Sequence, residues 1–138
     1  DGYHVLTGGT DNHMVLIDIF SSMGISGATA EKALEECNII VNKNRIPGDR
    51  KPALVTSGMR LGTNSLALRG MGPDEMKKCA TLIHRILSSI KVTGEFDFHL
   101  DTNLKESVKG EVIELCNRHP IPEYPGITHH DYSVSVLT

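Results

Sequence analysis

The chain has 138 residues and a formal net charge of -3 at neutral pH. This length suits a single domain, because most domains contain about 100–150 residues. A hydrophobic fraction of 39% and a charged fraction of 22% exclude a disordered tail, a collagen and a polybasic nucleic-acid arm.

The sequence indicates a reducing, cytosol-like environment. Its longest apolar run, Met14–Ile17, is far shorter than the ~20 residues that cross a bilayer, and no signal-peptide pattern is present. The three cysteines, Cys37, Cys79 and Cys116, form no CxxC pair, which argues against a zinc knuckle or a disulfide scaffold. We therefore expect a cytoplasmic protein, and an organellar location stays open because the sequence begins at Asp1.

In the first half of the chain, short strands are predicted around one helix. The apolar, β-branched segment His13–Phe20 predicts a buried strand, and Ser21–Gly27 predicts a turn. Apolar residues at helical spacing predict a helix that begins at Ala28. Two short strands are predicted, at Ile39–Val41 and Leu54–Thr56. The polar loop between them contains Pro47-Gly48-Asp49, which predicts a turn.

In the second half, helices dominate. Thr63 is predicted to cap a short helix, and Pro73 begins a longer one with acidic residues in its first turn. Val92–Leu100 predicts a linker or a weak strand. Thr102 is predicted to cap a last helix, which His119-Pro120 stops.

Together these elements predict an α+β fold, with a short, mainly antiparallel sheet packed against helices. Residues 1–120 are expected to form a single small domain, and residues 121–138 an extended tail. The sequence contains neither GxGxxG nor GxxxxGK[ST], so the two commonest nucleotide-binding loops are absent.

Arg60 is the first candidate binding residue. It lies between Gly58 and Gly62, after the strand predicted at Leu54–Thr56. The glycines allow a ligand to approach closely, and a planar guanidinium suits bidentate binding of a carboxylate or phosphate. The spacing alone favours the alternative of a surface arginine that forms a local salt bridge.

Three other segments carry polar groups with a possible ligand role. The amide of Asn44, in Asn42-Lys43-Asn44, could either order a turn or recognise a polar heterocycle. The loop Thr7–His13 could form an anion-binding nest or simply turn the chain. His129-His130-Asp131 resembles a metal-binding set, but adjacent residues on a strand point to opposite faces, so no metal site is predicted.

Three sequence blocks stand out in order along the chain: TGGTDNHMVLID (Thr7–Asp18), NKNRIPGD (Asn42–Asp49) and SGMRLGT (Ser57–Thr63), with RGM (Arg69–Met71) closing the last. Together these blocks resemble the C-terminal small domain of serine hydroxymethyltransferase. The AEKALEE pattern of the first helix also fits that family, and the similarity is strong from about Tyr3 to Ile90.

The resemblance implies a fold and a chemistry. The family has the aspartate-aminotransferase-like fold (fold type I) and uses pyridoxal 5′-phosphate to interconvert serine and glycine, with tetrahydrofolate receiving the one-carbon unit. By this similarity Arg60 matches the arginine that binds the substrate carboxylate, and Asn44 matches the asparagine that binds the folate ring. No catalytic residue is expected in this chain, and the complete enzyme is expected to be a homo-oligomer.

The sequence also departs from the family. The family motif LGTPA has Asn64 here in place of its proline, which removes a fixed φ at a helix start. None of the eight lysines lies in the sequence surroundings of the family's cofactor-binding lysine. We therefore expect the large cofactor-binding domain to be a separate partner, and this chain alone to be inactive as a fragment or half of a split enzyme.

Two other interpretations stay open. The change at Asn64 could mark a pyridoxal-phosphate-dependent aldolase or transaldolase that acts on β-hydroxy amino acids without folate. Alternatively, the domain could be a non-catalytic module that docks on a full-length homologue.

Overall fold

The computed structural model of the protein describes residues 2–123, which form a four-stranded sheet, a two-stranded hairpin and helices packed against them. A short 3-10 turn, Leu6–Gly8, follows the first strand. The elements in chain order are β1 (His4–Val5), β2 (Met14–Asp18), α1 (Ile19–Met23), α2 (Gly27–Glu35), β3 (Asn42–Asn44), β4 (Gly58–Gly62), α3 (Asn64–Leu68), α4 (Pro73–Leu87), β5 (Lys91–Val92), β6 (Phe98–His99) and α5 (Thr102–Arg118).

The larger sheet has the order β1-β2-β4-β3, and every neighbouring pair is antiparallel. Arg60, in the middle of β4, is paired with Leu16 on one side and with Asn42 on the other. Because side chains alternate along a strand, Met59 and Arg60 point to opposite faces. Met59 is fully buried and Arg60 is exposed, so the two faces of the sheet have different surroundings.

The core lies between the sheet and the helices. Helix α2 packs against β3 and β4, and α4 packs against α2 and α5. Fully buried side chains in this core include Ile19, Ala30, Leu34, Met59, Ile86 and Val108. The α+β fold with a short antiparallel sheet is therefore confirmed. The helices cover the Met59 face of the sheet, and Arg60 lies on the other face.

Two of the strand predictions are wrong, those at Ile39–Val41 and Leu54–Thr56. The first strand lies just beyond its prediction, at Asn42–Asn44, where the chain pairs with β4. In the second segment the amides of Val55 and Thr56 both donate to the carbonyl of Pro52, which forms a local turn. Residue Arg60 is consequently inside a strand and not in the loop after one.

The segment Ser21–Gly27 is not the simple turn that was predicted, because α1 extends through its first residues to Met23. The carboxylate of Asp18 caps this helix by accepting from the amide of Ser21 at 2.9 Å. The turn begins only at Gly24, whose φ of +72° is the left-handed conformation that glycine adopts without strain.

The longer helices are confirmed with small shifts at their ends. Helix α4 begins at Pro73 as predicted, and Glu75 accepts from the amide of Gly72 in a capping interaction. Helix α5 is capped by Asp101 instead of Thr102, since the Asp101 carboxylate accepts from the amide of Leu104 at 2.9 Å. Within residues 2–123, no helix is long and apolar enough to cross a bilayer.

The segment Val92–Leu100, predicted as a linker or a weak strand, forms most of a small hairpin in which β5 pairs with β6. Most of the predicted tail, residues 124–138, lies outside the described residues together with His129-His130-Asp131. The boundary between a domain at 1–120 and a tail at 121–138 stays a prediction.

Candidate functional site

A cavity of ≈ 560 Å³ lies on the face of the sheet that carries Arg60. Arg60 of β4, Leu16 of β2 and Asn44 of β3 form its floor, and residues of the loop Thr7–Asn12 form its wall. The structure thus brings together three of the segments that the sequence analysis considered for a ligand role, namely Arg60, Asn44 and the loop Thr7–His13. A volume of this size suits a small-molecule site.

Arg60 lines this cavity. Its backbone is held by β2 and β3 on both sides, so the position of its Cα is fixed. Its side chain is exposed, and it forms no hydrogen bond or ion pair with any other residue in the described range 2–123. The local salt bridge that the sequence left open is therefore not formed there, and the planar fork remains free for an anion.

Asn44 is half-buried at the end of β3. Its Nδ2 donates to the carbonyl of Arg45 at 2.7 Å, which fixes the orientation of the amide. Within residues 2–123, no group donates a hydrogen bond to Oδ1 of Asn44. The amide therefore keeps an acceptor, and one further N–H, for a ligand.

An ion pair on the other face of the sheet orients β3. The carboxylate of Glu31 in α2 accepts from the backbone amide of Lys43 at 2.9 Å and from its Nζ at 2.8 Å. Burial acts to raise the pKa of Glu31, but the hydrogen bonds and the charge of Lys43 outweigh it and lower the pKa. Since Lys43 points towards α2, its neighbour Asn44 points towards the cavity.

Asp49 closes the loop between β3 and β4, and the sequence interpretation had seen it only as part of a turn. Its carboxylate accepts from the amide and the hydroxyl of Ser57, at 2.9 and 2.8 Å, and from the amide of Lys51 at 3.0 Å. Burial acts to raise its pKa, but the hydrogen bonds from Lys51, Ser57 and Ile46 lower it to about 2. The signal in the sequence was Pro47-Gly48-Asp49, where Gly48 adopts a φ of +72°.

The wall loop is ordered by its own side chains. Oδ1 of Asn12 accepts from the amide of Met14 at 2.7 Å, and Thr7 adopts a φ of +62°. The carbonyl of His13 accepts from the amide of Thr63 at 2.9 Å, which ties the loop to the end of β4. Helix α3 begins at the next residue, Asn64.

Among the residues that the structure describes, none of those lining this cavity is a lysine. Within residues 2–123 there is also no cluster of three or more histidine, cysteine, aspartate or glutamate side chains that could hold a metal ion. The polar groups that line the cavity are the guanidinium of Arg60, two carboxamides, two threonine hydroxyls and the carboxylate of Asp11.

The sequence was compared with models of known protein families. Residues 1–83 match the family model described as serine hydroxymethyltransferase, which is more than half of the chain. The chain belongs to the serine hydroxymethyltransferase family. This confirms the family resemblance carried by the sequence blocks, and the matched region contains the cavity with Arg60 and Asn44. Serine hydroxymethyltransferases are pyridoxal-phosphate-dependent transferases that use tetrahydrofolate.

Proposed function

We propose that this chain forms the small-domain side of a serine hydroxymethyltransferase active site, where serine and glycine are interconverted and the one-carbon unit passes to tetrahydrofolate. The observation that carries the proposal is the convergence of Arg60 and Asn44 on one cavity. In the family pattern these positions bind the amino-acid carboxylate and the folate ring, respectively.

Arg60 binds the substrate carboxylate through two parallel N–H···O bonds. Its backbone is fixed on both sides by strand pairing, so a bound carboxylate would be held in one direction. Pyridoxal phosphate, when bound in the complete enzyme, supplies the electron sink for cleavage at the Cα atom. The contribution of Arg60 is to orient the substrate so that the correct bond is cleaved.

Asn44 binds the folate ring. Its free Oδ1 accepts from an N–H of the heterocycle, while its remaining N–H donates to a ring acceptor. The wall residues Thr10 and Asp11 add polar groups at the same cavity. A folate site beside the substrate site favours hydroxymethyl transfer over a folate-independent aldol cleavage.

The cofactor lysine and the phosphate contacts come from a large pyridoxal-phosphate-binding domain or subunit of the same enzyme. The absence of lysine from the cavity lining supports this division. The partner of the chain is therefore that domain, in an enzyme that assembles as a homo-oligomer. The outer face of the sheet, where the cavity opens, is the side that meets it.

The experiment is to combine the chain with a polypeptide of the large domain and pyridoxal phosphate. We expect a complex that converts serine and tetrahydrofolate to glycine, while the chain alone shows no turnover. Cleavage of β-hydroxy amino acids without dependence on tetrahydrofolate would instead identify an aldolase. A chain that forms no complex and binds an unrelated protein would identify a non-catalytic module, and either result would overturn the proposal.

A further inference from the structure

The carboxylate of Asp49 forms hydrogen bonds that connect different parts of the loop between β3 and β4. Asp49 accepts from the Ser57 amide and hydroxyl at 2.9 and 2.8 Å and from the Lys51 amide at 3.0 Å. Ser57 is the residue that precedes β4, so these bonds tie the middle of the loop to the start of the strand that carries Arg60. Within residues 2–123, each oxygen of this carboxylate accepts from two donors, and all of them belong to residues 46–57.

The same loop determines where the Asn44 amide points. Nδ2 of Asn44 donates to the carbonyl of Arg45, and Nη2 of Arg45 donates to the backbone carbonyl of Asp49 at 3.3 Å. The side chain of Ile46 then crosses Gly58 so closely that a Cβ there would lie 2.5 Å from its Cγ2. The path of the chain from Asn44 to Ile46 is thus set by the closed loop.

Arg60 depends much less on this loop. It lies in the middle of β4, with Leu16 and Asn42 paired to it on the two sides. The pairing with β2 runs along all of β4 and does not involve the loop. Loss of the loop closure would therefore disturb Asn44 while β2 continues to hold Arg60.

We propose that Asp49 is a positioning residue for the folate ring, which acts by holding the Asn44 amide in its binding orientation. This inference rests on the proposed function, because it takes Asn44 as the folate contact. Asp49 is not among the residues that line the cavity, so its influence on a ligand there would be indirect. Its effect on the reaction is confined to tetrahydrofolate and leaves serine binding unchanged.

The test uses the complete enzyme, with the large domain present, and the variant Asp49→Asn. The amide keeps the size of the side chain but replaces one acceptor oxygen by a donor that faces backbone N–H groups. We expect the KM and the directly measured Kd for tetrahydrofolate to rise about tenfold, with the KM for serine unchanged within about twofold. The matched control is Asp74→Asn, an aspartate on α4 whose side chain is 88% exposed and which should leave all constants unchanged.

A second variant keeps the test decisive if Asp49→Asn does not fold. Ser57→Ala removes one of the donors to Asp49 and leaves the backbone bonds in place. We expect about a threefold rise in the Kd for tetrahydrofolate without a change in the KM for serine. Equal losses for both substrates, or no loss for tetrahydrofolate, would overturn the role of Asp49.

The variant Asn44→Ala separates this inference from the proposed function. If Asn44→Ala weakens tetrahydrofolate binding and Asp49→Asn does not, only the positioning role fails. If Asn44→Ala itself leaves tetrahydrofolate binding unchanged, the assignment of the folate contact fails, and the positioning role falls with it.

Discussion

Asn44 and Arg60 project from the same face of the sheet, because Asn44 is paired with Gly58, two residues before Arg60. Strand pairing thus places an amide and a guanidinium side by side at one cavity. A shift of one residue in this register would turn one of them towards the helices. The relative placement of the two groups is therefore a property of the β3–β4 pairing.

Asn44→Ala is expected to weaken the use of tetrahydrofolate without unfolding the protein. The loss of hydrogen bonds to the heterocycle, about 1–2 kcal/mol, corresponds to a rise of about 5- to 30-fold in the KM for tetrahydrofolate. Steady-state kinetics of the complete enzyme at saturating serine measure this change. Asn103→Ala, on the exposed first turn of α5, is the control. An unchanged KM in Asn44→Ala would contradict the assignment.

Gly58→Ala is expected to destabilise the fold, because a Cβ at this position would lie 2.6 Å from the carbonyl oxygen of Asn44 and 2.5 Å from Cγ2 of Ile46. Overpacking of this kind costs about 1–3 kcal/mol. Gly62→Ala in the same strand is the matched control, since a Cβ there meets nothing within 4 Å. The free energy of unfolding in urea distinguishes them, and equal values for the two variants would show that β3 does not approach β4 this closely.

The stabilisation from Asp49 is expected to disappear in acid. Its folded-state pKa of about 2 lies below the ordinary value of 3.8, so the carboxylate stabilises the fold above about pH 4. This contribution is lost as the pH falls from about 4 towards 2, because the group then becomes protonated. Urea unfolding at several pH values should show Asp49→Asn less stable than the parent near pH 5 and similar to it near pH 2. A difference in stability that stays constant over this range would contradict the prediction.

Arg69→Ala is expected to loosen the end of α5. The Arg69 guanidinium donates from Nε to the carbonyl of His119 at 2.6 Å and from Nη2 to that of Cys116 at 2.8 Å. Hydrogen bonds from a charged group to such carbonyls contribute about 1.5–3 kcal/mol. Arg118→Ala, which removes an exposed ion pair with Glu114, should cost less than about 1 kcal/mol. Unfolding free energies compare the two, and an equal loss would show that Arg69 does not cap the helix.

The helices could be predicted from the sequence because their signals are local. Pro73 with acidic neighbours and the apolar stripe behind them determine α4 without reference to the rest of the chain. The strands β3 and β4 could not be predicted from local signals, since Asn42–Asn44 is polar and β4 begins and ends with glycine. Their strand character comes from pairing with distant segments, which no local pattern contains.

The candidate site also contains residues that the sequence identifies and a residue whose role only the fold shows. Arg60 and Asn44 stand out through glycine spacing, residue chemistry and the family resemblance. The role of Asp49 depends on its contact with Ser57, eight residues away, and only the folded loop brings these two together. The turn signature at Pro47-Gly48-Asp49 predicted a bend but not its partner.

The most direct test of the account is the variant Arg60→Lys in the complete enzyme. Lysine keeps the positive charge but cannot form the two parallel bonds to a carboxylate. We expect kcat/KM for serine to fall about 10- to 100-fold, with unchanged thermal stability because Arg60 is exposed and its side chain forms no hydrogen bond or ion pair within residues 2–123.

The matched control is Arg50→Lys, an exposed arginine in the loop outside the cavity, which should retain full activity. The decisive measurement is therefore kcat/KM for serine in the two variants side by side. A large loss in Arg60→Lys alone is the result that the account predicts. Near-normal serine turnover in Arg60→Lys would contradict the claim that this chain binds the substrate carboxylate.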